Sequence, residues 1–141
     1  MVFDGVGVGS WIRGGALPFE SGCAGSNGRI PRLSAIGAPR LGDSRFALEL
    51  GDGPPHGPVS LHVAAAPGLL QVGTCAVEIL PTITLWTRLG PGGATSLPLP
   101  VPLDHRLVGI RFHCQAATVD PGGSLLNVAA LSNTLDLYVG H

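Results

Sequence analysis

Hydrophobic side chains in this chain fall at every second position, run after run, and each run is stopped by Gly, Pro, Asp or Asn. A pleated strand turns successive side chains to opposite faces, so such a run hides one face and wets the other. Phe46, Leu48 and Leu50 share a parity against Arg45, Ala47 and Glu49. Val59, Leu61 and Val63 alternate with Ser60, His62 and Ala64, and Cys75, Val77 and Ile79 with Ala76 and Glu78. Ile83, Leu85 and Thr87 oppose Thr82, Thr84 and Trp86. The longest run, 107–120, sets Val108, Ile110, Phe112, Cys114 and Ala116 against Arg111, His113 and Gln115 before an Asp-Pro-Gly-Gly turn. Leu135, Leu137 and Val139 alternate with Thr134, Asp136 and Tyr138.

These runs predict an all-β fold: an antiparallel two-sheet β-sandwich of about eight strands, jelly-roll or Ig-like. Helices are not expected, because 22 glycines and 13 prolines in 141 residues leave little uninterrupted chain. The prolines of SLPLPVP (96–102) cannot donate to a ladder, which predicts an edge strand or an extended surface segment. Residues 22–141 read as one domain. Residues 1–21 read as an N-terminal extension or linker, and its apolar Val2, Phe3, Val6, Val8, Trp11 and Ile12 suit it to add a strand to another molecule's sheet.

With 8 basic against 9 acidic residues, no charge excess exists to neutralise phosphates, so no nucleic-acid partner is expected. No apolar run approaches the ~18 residues of a membrane span. The first eleven residues have no basic start and carry Asp4, unlike a secretory signal. The chain therefore reads as cytosolic or as the mature part of something longer. The cysteines bear on that choice. Cys23 lies in a Gly-rich loop and Cys75 opens a strand, both at ends of elements where a bridge leaves the ladder intact. A Cys23–Cys75 disulfide is expected, and with it export to the cell exterior. Cys114, in mid-strand on the apolar parity, reads as a small free core residue.

Two blocks carry a family likeness. GCAGSNGRIPRLSAIGAPRLGDSRFALEL (22–50) leads into GPPHGPVSLHVA, and SLPLPVPLDHRLVGIRFHCQAATVDPGGSLLNVAALSNTLDLYVG closes the chain (96–140). In this order of motifs the chain resembles the short β-sandwich module at the C-termini of large secreted proteins of planctomycetes and similar bacteria. The likeness spans 22–140 and is thinnest over 69–89. It implies an extracellular, non-catalytic accessory module in which Cys23 and Cys75 match the family's paired cysteines.

Catalytic signatures are weak. Ala24-Gly25-Ser26-Asn27-Gly28 matches a variant of the nucleophile elbow, but no helix is predicted after it. Gly5-Val6-Gly7-Val8-Gly9 lacks the spacing and following helix of a phosphate loop. The five histidines (His56, His62, His105, His113, His141) read as solvated surface groups without local metal-ligand spacing, and the aspartates as turn builders or outer-face residues. No metal, cofactor or enzymatic activity is expected. Trp86, with Thr84 and Arg88, is a candidate platform for stacking on a sugar ring. The expected function is attachment or assembly at the cell exterior through a protein partner or a second copy, with polysaccharide binding as the alternative.

Overall fold

The computed structural model describes residues 14–19, 21–73, 75–79 and 83–141. Its strands are β1 (Gly15–Phe19), β2 (Arg32–Ile36), β3 (Ala47–Gly51), β4 (Pro58–Ala64), β5 (Pro67–Val72), β6 (Cys75–Ile79), β7 (Ile83–Arg88), β8 (Thr95–Pro98), β9 (Arg111–Val119), β10 (Ala129–Leu131) and β11 (Thr134–Tyr138). A 3-10 turn, His105–Leu107, is the one helical element among the described residues. The molecule is all-β, and every strand pairing is antiparallel.

The strand inventory departs from expectation. Eleven strands lie in three sheets, rather than roughly eight in two. The additions are pieces whose alternation is weak: β5 opens on Pro67-Gly68, β10 has three residues, and β1 is bordered by glycine. The largest sheet runs β1-β11-β9-β4-β7, with β10 also on β9. A second runs β2-β3-β8, and β5 with β6 forms a separate hairpin. Since β1 pairs with β11 from Gly15↔Tyr138 to Phe19↔Thr134, the large sheet begins inside the stretch read as an extension. The apolar positions from Val2 to Ile12 lie outside the described residues.

One core joins the two larger sheets. Leu33, Leu48, Leu50 and Leu97 on the three-stranded sheet meet Val59, Leu61, Cys114, Ala116, Leu135 and Leu137 on the six-stranded one. These are the residues on the apolar parity, and each fully buried aliphatic side chain is worth roughly 1.5–3 kcal/mol over its exposed state. Two turns also touch across the sheets. Gly53 N–H donates to the carbonyl of Gly93 (3.0 Å), and a Cβ on Gly93, whose φ is +77°, would collide with the Gly53 carbonyl. Glycine is required there by both space and backbone angle.

The other face of the six-stranded sheet is only partly open. The β5–β6 hairpin brings Cys75 and Val77 against Cys23, Ala117, Leu125 and Leu131. The expected Cys23–Cys75 disulfide is present, with Cα atoms 5.4 Å apart across 52 positions. Closing a loop of that length is worth roughly 4 kcal/mol in the chain-entropy picture. Cys114 is free and buried, as read from its parity. Burial pushes its thiol pKa up to about 12, reinforced by the Asp136 carboxylate, so it is an unreactive packing residue.

The hairpin side corrects an expectation. The polar parity of β9 and β11 is buried rather than solvated, with His113, Gln115 and Asp136 all in the interior. Their partners make this affordable: His113 Nδ1 lies 2.6 Å from Asp136 Oδ1, and Arg111 reaches Asp136 Oδ2 at 3.1 Å. Gln115 donates to the carbonyl oxygens of Ser132 and Ala76. Alternation showed which residues share a face; it did not show that a third layer covers the polar one.

Candidate binding surface

The sheet edges differ in how their free backbone groups are protected, and the difference singles out β7. An unpaired edge invites another chain to add a strand, and natural sheets blunt it with proline, charge or a covering group. On β1 the guard is Pro18, and β1 also lies against β2 of the neighbouring sheet. On β8 it is Pro98, with Pro100 and Pro102 following. On β2 it is a side chain from elsewhere: the carboxamide of Asn133 accepts from Leu33 N–H (2.7 Å) and donates to Leu33 C=O (3.0 Å). Asn133 thus stands where the peptide group of a neighbouring strand would stand.

Among the described residues, strand β7 has none of these. It pairs with β4 on one side, from Pro58↔Arg88 to Val63↔Ile83, and is the last strand of its sheet. Its sequence ITLWTR holds no proline, no acidic residue and a single charge, at its end. Apolar groups are exposed on both faces: Ile83 (55%) and Leu85 (37%) on the core side, Trp86 (73%) on the other. The sequence leaves the burial of this strand open because it is apolar on both parities; the structure exposes it on both.

The three sequence-nominated residues Thr84, Trp86 and Arg88 share the face turned away from the core. Cross-strand pairing places Trp86 beside Ser60 and Thr84 beside His62. His62 links the row: its Nε2 is 2.9 Å from Ser60 Oγ and its Nδ1 is 3.3 Å from Thr84 Oγ1. Burial holds the His62 pKa below its ordinary value, which favours the neutral ring, able to donate from one nitrogen and accept at the other. Arg88 Nη1 donates to the carbonyl of His56 at 2.7 Å, which ties down one end of the strand. Ser60 and His62 share a parity in sequence, but their meeting with Thr84 depends on β4–β7 register, which no local pattern reveals.

Other nominated positions have structural partners. Ser26 donates its hydroxyl to Asp120 Oδ1 and its N–H to Asp120 Oδ2, both at 2.7 Å. That carboxylate is buried and holds the 21–29 loop against the turn at 120–123, so the Ser26 hydroxyl is engaged by a carboxylate and not by a histidine base. Asp43 and Asp104 cap local turns as expected, accepting from the N–H groups of Arg45 and Arg106. No group of three or more His, Cys, Asp or Glu is placed to hold a metal among the described residues. An open groove of about 500 Å³ lies between the β1 and β2 ends, lined by Pro18, Phe19, Ile30, Pro31, Arg32 and Asn133 among others. No helix among the described residues is long and apolar enough to cross a membrane. Compared with family models, curated proteins and solved structures, the chain gives no significant match.

Proposed function

We propose that this chain is a non-catalytic structural module of the cell exterior that joins copies of itself into assemblies. In this reading the six- and three-stranded sheets are the two layers of a β-sandwich, and the β5–β6 hairpin is pinned on the outside by the disulfide. The observation that carries it is β7, an end strand with apolar side chains on both faces and no guard. The disulfide supports export, because such bridges persist in oxidising compartments. The resemblance over residues 22–140 points the same way. Light scattering on the full chain over a range of concentrations tests the reading. Association that grows with concentration and is lost in Ile83→Lys supports it; a monomer throughout overturns it.

A second reading has its own observation. Trp86, Thr84 and Arg88 present one exposed aromatic and two polar side chains on a single face, the composition of a sugar-stacking platform. It predicts a change in tryptophan fluorescence on adding soluble polysaccharide, lost in Trp86→Ala. No such change with a panel of plant, algal and bacterial polysaccharides would dismiss it.

A further inference from the structure

We propose that the open edge of β7 is filled by residues 2–12 of a second copy of this chain, so that copies join head to tail. This rests on the assembly reading above, and it names the donor segment and the polarity.

The first support is position. In the strand order β1-β11-β9-β4-β7, β1 and β7 are the two ends of one sheet, and residues 2–12 run directly into β1. A donor leaving one end and an acceptor at the other make a heterologous contact. Such a contact uses two different surfaces, so each added copy offers a fresh acceptor.

The second support is the fit of the faces. Positions 2, 6, 8 and 12 are Val, Val, Val and Ile, whereas positions 5, 7 and 9 are all Gly. Over residues 5–9 a strand would set Val6 and Val8 on one face and glycines alone on the other; outside that stretch Phe3 and Trp11 join the glycine parity, and Asp4 and Ser10 the valine parity. Strand β7 needs that asymmetry. Its core-side row, Ile83 and Leu85, continues the rows of Val63 and Leu61 and has no paired strand on its outer side among the described residues. The valine row extends it. Its outer row carries Trp86, whose indole stands free and needs flat ground beside it. Glycines provide that ground, and an aromatic laid across a glycine of the adjoining strand is a recognised means of stabilising one. The eleven residues 2–12 are ample to pair with the six of β7.

The rival arrangement is β7 against β7 of a second copy, a closed two-fold dimer. Two double variants of the full chain separate them. Val6→Lys with Val8→Lys blocks the donor, and Ile83→Lys with Trp86→Asp blocks the acceptor at exposed positions; circular dichroism is the check that each variant folds. The expected result is a concentration-dependent series of species for the unaltered chain and monomers for each variant alone. An equimolar mixture of the variants should give a two-chain species and nothing larger. A synthetic peptide of residues 2–12 should bind the donor-blocked chain, and about ten-fold more weakly when Trp86→Ala is added. A donor-blocked variant that still forms a two-chain species would overturn the inference while leaving the assembly reading intact. An unaltered chain that stays monomeric, with no binding of the peptide, would end both.

Discussion

The two ends of the six-stranded sheet are made from similar material and treated differently. At the β1 end, Gly15–Phe19 carries Pro18, leans on the neighbouring sheet and pairs with β11, whose Leu135 and Leu137 are buried in the common core. At the β7 end, Ile83–Arg88 has a comparable length and exposed apolar side chains on both faces, with no proline in the strand and no covering layer among the described residues. Exposed apolar surface is ordinary on a protein, so the informative feature is its coincidence with unpaired backbone. Three of the four end strands in the two larger sheets are guarded, β1 and β8 by proline and β2 by the Asn133 carboxamide. The unguarded fourth is a selective omission, and selective omissions on an edge are where interaction is sought.

The comparison predicts unequal costs of truncation. Leu135→Ala, behind β1, should lose about 2–5 kcal/mol of unfolding free energy, because it empties a packed core site. Leu85→Ala, on β7, should cost about 1 kcal/mol or less in the isolated chain, as its side chain already meets water. Urea denaturation at low protein concentration measures both. Equal losses would mean that β7 is as well packed as β11, and the contrast between the ends would fail.

Next in size is Asn133→Leu. It strips the partners from Leu33 N–H and C=O, which should cost about 1–3 kcal/mol and leave β2 a second open edge. Asn133→Asp keeps the acceptor and loses the donor, so it should fall between Asn133 and Asn133→Leu in stability. New association in Asn133→Leu that persists with Ile83→Lys present would confirm that the carboxamide is a guard. If stability falls with no new association, Asn133 is merely a fastener between sheets. Pro18→Val asks the same of β1 with a smaller expected loss, within about 1 kcal/mol, since Pro18 is exposed. Light scattering should then report association at that end as well.

What was legible in the sequence, and what was not, follows the same division. Period-two alternation located the buried faces of β3, β4, β9 and β11, because side-chain burial on one face is a local property of a strand. The cysteine pairing was legible from placement at element ends. Strands β1, β2, β5 and β10 carried little such signal: their positions depend on partners far along the chain, as in Arg32↔Gly51 or Ala129↔Val119. The burial of His113 and Asp136 was missed for a related reason. Their parity is polar, and their burial goes with an ion-paired cluster of Arg111, His113 and Asp136 that joins two strands and that no local pattern reveals. At the candidate surface, Thr84, Trp86 and Arg88 could be grouped by parity, yet Ser60 and His62 join them only through register. Asn133 gave no hint of its role, since a carboxamide standing in for a peptide group depends on meeting Leu33, 100 positions away.

The smallest effect is a titration, and it reports on β7 from inside. His62 sits one strand in, between Ser60 and Thr84, and burial holds its pKa below the ordinary 6.5. The unfolded chain therefore takes up the proton first as pH falls. Stability contributed by neutral His62 is fully present above about pH 6.5 and is lost progressively below it, toward the lower folded-state pKa. His62→Gln should flatten that part of the pH–stability curve. Covering the Trp86 face removes more water from the ring, so nuclear magnetic resonance titration should place the His62 midpoint lower with the 2–12 peptide bound than without it. A midpoint that does not move on saturation would mean that the peptide lies elsewhere than on the outer face of β7. An upward move would mean that binding brings an acidic group to the ring; since Asp4 shares the parity of Val6 and Val8, that would mean the segment binds with its faces reversed.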